Sequence, residues 1–202
     1  MAQQHIVIVN TGCANISSVR FALERLGVQV TISDDAMVIQ SADKVFLPGV
    51  GTAAAAMQSI TNKGLIEVVQ GLTQPVLGVC LGMQLMVNTS QESQSGNIDC
   101  LKLMPGQVER MQVGDLRLPH MGWNTVAPVD DNPLFKGIPS QSYFYFVHSF
   151  CIAVGEQTLA TCDYGKSFSA AIHHNNFYGV QFHPERSGDA GARLLKNFVD
   201  YV

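Results

Sequence analysis

The sequence predicts an α/β fold, a three-layer sandwich around a central, mostly parallel sheet with an antiparallel extension. In the first half, short apolar segments alternate with segments whose apolar residues recur at helical spacing, which is the pattern of parallel βαβ units. In the second half, strand-like segments are divided by Gly, Pro, Asn or Asp turns. The chain then ends in an amphipathic helix at 188–202, with Leu194, Leu195, Phe198 and Val199 on one stripe.

The elements of the first half begin with a strand at 5–10 and a helix at 16–26. Asn15 can cap this helix and Gly27 can end it. The other elements predicted in this half are strands at 28–33, 44–51 and 75–79, and helices at 52–61, 65–72 and 81–88.

The second half opens with a polar segment at 88–97, which we expect to be an exposed loop. Neither a repeat nor a linker divides the chain, so residues 1–202 are expected to form one domain. Strands are predicted in this half at 106–113, 124–129, 142–154, 158–165, 168–174 and 177–183.

The composition is that of a compact globular protein. Of the 202 residues, 47% are apolar and only 14% are charged, and a net charge of -4 comes without a run of like charges. We therefore expect no nucleic-acid partner and no membrane partner. The start of the chain lacks a signal-peptide pattern, and no later segment approaches the roughly 20 apolar residues that span a bilayer. These features predict a cytoplasmic protein.

Five cysteines are scattered at irregular intervals without a C-x-x-C pair. This pattern fits reduced thiols better than a disulfide framework or a zinc site. We expect no metal site, and four of the five cysteines are expected only to pack. The cysteines are Cys13, Cys80, Cys100, Cys151 and Cys162.

Cys80 is the exception because it stands in "GVCLG", between a buried strand and a helix. A sharp strand-to-helix turn holds its central residue in a strained conformation, and small residues two positions away, here Gly78 and Gly82, relieve the crowding. This is the G-x-S-x-G nucleophile elbow with sulfur in place of oxygen. A thiolate at a helix start is also stabilised by unpaired N–H groups. The alternative is a buried core cysteine beside a close chain crossing.

A partner for this thiol is found in "FHPER" near the end of the chain. His183 follows an apolar strand, at the sheet edge where open α/β sheets place their sites. Pro184 favours an extended conformation, so Glu185 should project to the same side and orient the imidazole. An ordinary proline loop is the alternative. His120 and His148 are the next candidates for the base.

Taken together, these motifs resemble the triad-type, class I glutamine amidotransferases. The resemblance implies a flavodoxin-like architecture, no cofactor, and glutamine hydrolysis by Cys80 as nucleophile, His183 as base and then acid, and Glu185 as orienter. More narrowly, the chain resembles the glutaminase subunits of imidazole glycerol phosphate synthase, an enzyme of histidine biosynthesis. The stretches that carry this narrower resemblance are "NTGCANISSVRFALERLG", "LPGVG", "GVCLGMQLM", "PHMGWN", "YFVHSF" and "VQFHPERS".

The resemblance also implies roles around the thiol. The oxyanion donors would be the backbone N–H of Leu81 and that of Val50 or Gly51. The substrate-binding residues would be Gly49, Gln84, Ser149 and Phe150. Two plainer readings stay open: a simple turn at Gly49 and a helix surface position for Gln84.

The implied partner is a (βα)8 cyclase subunit that uses the ammonia, forming a heterodimer. Met121, Trp123 and Asn124 in "HMGWN" suit an interface because aromatic and Met residues are enriched there. A core position for Trp123 is the alternative. The chain departs from the usual family form at Cys13, Ala14, Phe150 and Arg186, and Arg186 falls where it would alter a charge contact with the partner.

Three other functions compete with this interpretation. The same glutaminase chemistry could serve another acceptor, as in pyridoxal phosphate or anthranilate synthesis. A regulatory subunit with a vestigial triad is the second, and a free-standing cysteine hydrolase is the third. Retention of Cys80, His183 and Glu185 together argues against the second.

Overall fold

The computed structural model describes residues 4–12, 15–93 and 96–202. The departures from the family at Cys13 and Ala14 therefore lie outside the described residues, as do two positions of the polar segment 88–97. The described strands are β1 (Ile6–Val9), β2 (Val30–Ser33), β3 (Lys44–Gly49), β4 (Val76–Cys80), β5 (Thr89–Ser90), β6 (Ile98–Asp99), β7 (Gln107–Arg110), β8 (His120–Pro128), β9 (Ser142–His148), β10 (Phe150–Ile152), β11 (Thr158–Tyr164), β12 (Lys166–His174) and β13 (Phe177–Val180). The described helices are α1 (Ile16–Arg25), α2 (Ala36–Gln40), α3 (Ala53–Asn62), α4 (Ile66–Gln70), α5 (Leu81–Gln84) and α6 (Gly188–Tyr201).

A nine-stranded sheet forms the middle layer, in the order β2-β1-β3-β4-β13-β12-β11-β8-β9. The first five strands of this order are parallel, and the remaining pairs are antiparallel. The prediction of a parallel sheet with an antiparallel extension is confirmed. The nucleophile strand β4 lies between β3 and β13, so it has a parallel neighbour on each side.

Helices cover both faces of this sheet, which makes three layers. In β1, Ile6 and Ile8 belong to one apolar core with α1 and α6, whereas Val7 and Val9 belong to a second core with α2, α3 and α4. Successive side chains of a strand point to opposite faces, so a strand that is apolar throughout supplies both cores. The second core also takes in a smaller sheet, in the order β10-β7-β5-β6.

Gly27 ends the first helix as predicted, with a positive φ of 78° and its N–H donating to the carbonyl of Glu24. The predicted cap does not form, because the Asn15 side chain accepts no bond from the described residues of α1. Helix α2 was not predicted. Its N-cap Asp35 accepts hydrogen bonds from the N–H groups of Met37 and Val38.

The helix predicted over 81–88 is wrong in length, since α5 ends at Gln84. The carbonyls of Leu85, Met86 and Val87 instead accept N–H groups from residues 101–104, so a long-range contact replaces the next helical turn. The strand predicted over 142–154 is also wrong as a single element. It breaks at Ser149 into β9 of the large sheet and β10 of the small one.

Candidate active site

Cys80 ends β4 and immediately precedes α5, at the centre of the predicted elbow. Its φ of 52° and ψ of -110° place an L-residue in a region that glycine ordinarily occupies. Backbone strain of this kind persists only where the surrounding structure enforces it, and it is concentrated at functional sites. The thiol is buried but borders a cavity.

Three glycines allow the chain to pass this closely. A Cβ on Gly82 would lie 1.8 Å from the carbonyl oxygen of Leu47 on β3, and one on Gly78 would lie 2.7 Å from the backbone nitrogen of Met83. Gly49 is the ladder partner of Cys80, and a Cβ there would lie 2.7 Å from the backbone nitrogen of Gly82. Gly78 and Gly82 therefore relieve crowding as expected. Gly49 belongs to the same packing and does not line the cavity.

His183 lies three residues beyond the end of β13, beside the thiol. Its Nδ1 is 2.8 Å from Glu185 Oε1, and the two side chains are only 7% and 2% exposed. His183 is extended, as expected, whereas Pro184 begins a 3-10 turn over Pro184–Arg186 that returns the carboxylate to the ring. Because Glu185 occupies Nδ1, the other ring nitrogen remains for the side-chain hydrogen bond with Cys80.

The electrostatics of His183 favour its protonated form. Burial acts to lower the pKa of this imidazole, but hydrogen bonds and negative charge from Cys80 and Glu185 outweigh it and raise the pKa to about 10. At pH 7 the imidazole of His183 is therefore protonated.

A cavity of about 250 Å³ opens over this pair. It brings together almost every residue predicted for the site, with Gly49 and Glu185 just outside. The residues that line it are Val50, Gly51, Cys80, Leu81, Gln84, Glu92, Val147, His148, Ser149, Phe150 and His183. A larger open groove, about 830 Å³, lies between segment 128–138 and Tyr201, and neither cysteine nor histidine lines it.

Two stretches of backbone near the thiol suit oxyanion binding. Leu81 is the first residue of α5, so its N–H has no partner within the helix. Val50 and Gly51, which follow β3, also line the cavity, and Gly51 has a φ of 92°. The placement is compatible with either of the two predicted donors in this turn.

Gln84 is 4% exposed, so the helix surface reading is wrong. Its Nε2 donates to the carbonyl of Phe150 and to Gln181 Oε1, both at 2.9 Å. The carbonyl of Ser149 accepts the N–H of Met111 at 3.0 Å. Both backbone carbonyls thus have hydrogen-bond partners within the protein.

His148, which lines the cavity, forms a buried pair with His120, with Nδ1 of His120 3.0 Å from Nε2 of His148. Burial lowers the pKa of His120 to about 4. Burial is also the main reason that the pKa of His148 falls to about 3, and the neighbouring His120 and His183 lower it further. Both imidazoles are neutral at pH 7 and engaged with each other, which makes them poorer bases than His183.

A comparison with protein families identifies the architecture. The family model described as glutamine amidotransferase class-I matches residues 7–201. The chain belongs to this family.

Full-length relatives are similar to this glutamine amidotransferase in sequence. The imidazole glycerol phosphate synthase subunit HisH of Pasteurella multocida is 60% identical, covering 98% of this chain and 99% of the relative. The subunit of the same name from Vibrio cholerae is 58% identical, covering 98% of each. Among solved structures, PurLQS from Thermotoga maritima has a TM-score of 0.73 at 17% identity, over 98% of this chain and 99% of that one. At that identity the likeness supports the fold alone.

The sequence analysis did not predict Glu92, a charged residue of this amidotransferase site. It falls in the segment 88–97, for which an exposed loop is predicted, yet Ser90 is fully buried and β5 joins the small sheet. Glu92 Oε2 accepts the N–H of Ala53 at 3.1 Å, and burial raises the pKa of the carboxyl. Only the pairing of β5 with β7, far along the chain, turns this side chain into the cavity.

The predicted interface residues separate onto two faces of β8. Met121 and Trp123 are 62% and 55% exposed, so a core position for Trp123 is wrong. Asn124 differs, since its Nδ2 contacts His120 Nε2 at 3.2 Å and the carbonyl of Asp163 at 2.9 Å. Tyr145 on β9 is the ladder partner of Trp123 on β8. The guanidinium carbon of Arg186 lies 5.0 Å from the centre of the Tyr145 ring.

The described thiols other than Cys80 behave as packing residues. Burial is the main cause that raises the pKa of Cys100 and Cys151 to about 11 and that of Cys162 to about 12. No group of three or more His, Cys, Asp or Glu side chains in residues 4–12, 15–93 and 96–202 is arranged to hold a metal ion. Over the same residues, no helix has the length and apolar character needed to cross a membrane.

Proposed function

We propose that this protein is the glutaminase subunit of imidazole glycerol phosphate synthase in histidine biosynthesis. It hydrolyses glutamine to glutamate and ammonia through a thioester on Cys80. The observation that carries the proposal is a strained cysteine next to a buried His183–Glu185 pair, in a chain similar over its full length to subunits of that synthase.

In the first step, the Cys80 thiolate attacks the side-chain carboxamide carbon of glutamine. The carbonyl oxygen becomes an oxyanion, which accepts hydrogen bonds from the Leu81 N–H and from the N–H of Val50 or Gly51. The tetrahedral intermediate collapses when the C–N bond breaks, and the imidazolium of His183 protonates the nitrogen so that neutral ammonia leaves. The products of this step are ammonia and a γ-glutamyl thioester.

In the second step, His183 is neutral and acts as the base. It takes a proton from water as the water oxygen attacks the thioester carbonyl, and the same oxyanion donors serve again. Breakage of the C–S bond releases glutamate and restores the thiolate and imidazolium. The carboxylate of Glu185 stabilises the imidazolium and fixes its tautomer throughout, as the third group of a catalytic triad does.

The rest of the cavity lining receives the amino-acid end of glutamine. Glu92 lines the cavity, and its carboxylate suits the α-ammonium group of the substrate. Ser149 and Phe150 also line the cavity, and Gln84 holds Phe150 by its bond to the Phe150 carbonyl. Gly49 contributes to binding only by permitting the elbow.

Ammonia released into water would be protonated and lost as a nucleophile, so a second subunit should receive it. We propose a (βα)8 cyclase subunit in a heterodimer, docked on the surface formed by Met121 and Trp123. Ammonia then serves to make imidazole glycerol phosphate and an aminoimidazole-carboxamide ribonucleotide. The whole chain, 1–202, acts as one glutamine amidotransferase domain without a cofactor, and its place is the cytoplasm.

The test is reconstitution with the cyclase subunit of the synthase. Glutamine should support imidazole glycerol phosphate formation by the mixture and not by the glutaminase or the cyclase in isolation. Trp123→Ala should weaken complex formation, whereas Met37→Ala, at another exposed apolar position, on α2, should not. The acceptor assignment is wrong if glutamine does not support the cyclase reaction and this protein instead supplies ammonia to another ammonia-dependent synthase.

A further inference from the structure

Gln181 is a fully buried amide between β13 and His183, and the mechanism above does not use it. Its Nε2 lies 3.8 Å from the sulfur of Cys80. Hydrogen bonds to sulfur are longer than those to oxygen. A thiolate accepts a hydrogen bond more strongly than a thiol because it carries a negative charge. The amide therefore lies within hydrogen-bond reach of the sulfur that acts as a thiolate in the proposed mechanism.

The orientation of this amide is fixed by its neighbours. The Phe150 carbonyl can only accept, so the group of Gln84 that faces it at 2.9 Å must be the NH₂. The same NH₂ faces Gln181 at 2.9 Å, which requires the oxygen of Gln181 on that side. The NH₂ of Gln181 is then left to face the sulfur. A flipped Gln181 would bring two NH₂ groups together.

The hydrogen-bond chain continues beyond the cavity and gives this arrangement rigidity. His148 Nδ1 lies 2.9 Å from the same Phe150 carbonyl, so it carries the proton and leaves Nε2 to accept. His120 Nδ1 then donates to His148, and Asn124 donates to His120 Nε2. The donor and acceptor of each link are thereby fixed, with the Phe150 carbonyl accepting from both His148 and Gln84. The network begins on β8, the strand that carries Trp123.

We infer that Gln181 is a further catalytic residue, whose Nε2–H donates to the Cys80 thiolate and holds its charge before attack. This inference rests on the proposed role of Cys80 as nucleophile. His183 supplies the second donor to the sulfur from the segment that follows β13. The other titratable groups that line the cavity are His148 and Glu92.

The test compares Gln181→Met, which keeps the volume and removes the donor, with Asn197→Leu. Asn197 is also a fully buried amide, but it bonds the carbonyls of Leu134 and Lys136, away from the thiol. Both variants should become less resistant to urea, because each removes buried hydrogen bonds. Only Gln181→Met should change the reactivity of the thiol.

The measurement is the rate of Cys80 alkylation by iodoacetamide from pH 5 to 10, with the modified residue identified by peptide mass spectrometry. In Gln181→Met the midpoint of the rate profile should move up by about one pH unit. At pH values below both midpoints, the rate of the variant should then be about tenfold lower than that of the parent chain, since one unit corresponds to a factor of ten. A profile equal to that of the parent chain would overturn the inference, and a shift of the same size in Asn197→Leu would overturn it too by assigning the effect to general loosening.

Two further results separate this inference from the proposed function. If Cys80→Ala still hydrolyses glutamine, the nucleophile assignment fails whatever Gln181 does. If Gln181→Met does not fold, the side-chain amide of Gln181 can be followed by NMR in the parent chain and in Cys80→Ala. Loss of the sulfur should shift the Gln181 Nε2 resonance and leave the Asn197 amide unchanged, and an unmoved Gln181 resonance would contradict the bond.

Discussion

The imidazole of His183 and the carboxylate of Glu185 form a buried hydrogen bond, with Nδ1 2.8 Å from Oε1. A single short segment, the 3-10 turn and its N-cap, thus supplies both the proton carrier and the group that orients it. The two side chains make different contributions, which can be separated by substitution.

Glu185→Gln should cost less activity than His183→Ala. The amide still offers the ring a hydrogen-bond partner but loses the charge that stabilises the imidazolium, so we expect a loss of about 10⁴ in kcat. Removal of His183 deletes the proton carrier and should cost more, about 10⁶ in kcat. The measurement is steady-state glutamine hydrolysis by the complex with the cyclase subunit. Equal losses would show that Glu185 does more than orient the ring.

Gly82→Ala should prevent the elbow from forming. The added methyl would lie 1.8 Å from the Leu47 carbonyl oxygen, a backbone atom that cannot move without shifting β3. We expect a loss of more than about 3 kcal/mol in urea unfolding, or no folded protein. Gly155→Ala is the matched control, because nothing lies within 4 Å of its added Cβ. A stable, active Gly82→Ala variant would contradict the close crossing of α5 and β3.

The buried histidine pair should make the fold sensitive to acid. The folded-state pKa values, about 4 for His120 and about 3 for His148, lie below the ordinary value of 6.5. Their contribution to the free energy of unfolding is therefore present above pH 6.5 and is lost progressively as pH falls through about 4 and then about 3. For His183 the sign is opposite: its contribution is full below pH 6.5 and is lost as pH rises through about 10.

The contribution of His120 to the pH dependence of stability can be isolated with His120→Phe. A phenyl ring does not titrate and can keep the stacking of residue 120 on Phe146 and Tyr164. Urea midpoints measured from pH 7 to 4.5 should fall more steeply in the parent chain than in the variant. Parallel curves would show that His120 does not link protonation to unfolding.

From the turn after β3 we predict that the isolated chain hydrolyses glutamine slowly. If the N–H of Val50 or Gly51 points away from the oxyanion at rest, one donor is missing, which costs about 10²–10³ in rate. Docking of the cyclase subunit with its nucleotide ligand would then restore activity by roughly a hundredfold. Glutamine turnover by the chain alone, by the complex, and by the complex with ligand tests this. Full activity in the chain alone would refute activation by the partner and its ligand.

Gly51→Ala is the suitable variant for this turn. Its φ of 92° disfavours a side chain, yet nothing lies within 4 Å of an added Cβ, so the change alters the turn without crowding the elbow. A proline at Gly49 would be a poor probe, because an added Cβ there meets the backbone of Gly82. Gly51→Ala should reduce the activation by ligand while leaving Cys80 accessible to alkylation.

Local patterns were sufficient to predict the sheet, most of its helices and the juxtaposition of Cys80, His183 and Glu185. Each of these features depends on a short stretch of chain: a buried strand, a glycine-flanked cysteine, a histidine beside a proline. Three features depended on distant partners and were missed. Pairing of β5 with β7 buries Glu92, bonds from residues 101–104 shorten α5, and a change of sheet at Ser149 divides one predicted strand into two.

The central claim is that Cys80 is the nucleophile of a glutaminase, and Cys80→Ala tests it most directly. Alanine is small enough for the elbow but offers no sulfur, so the variant should keep the fold and bind the cyclase subunit. The measurement is imidazole glycerol phosphate formation by the variant complex, fed either with glutamine or with ammonium salt at high pH. We predict no product from glutamine and undiminished product from ammonium. Product from glutamine at the parent rate would contradict the account, and loss of both reactions would show that Cys80 is structural.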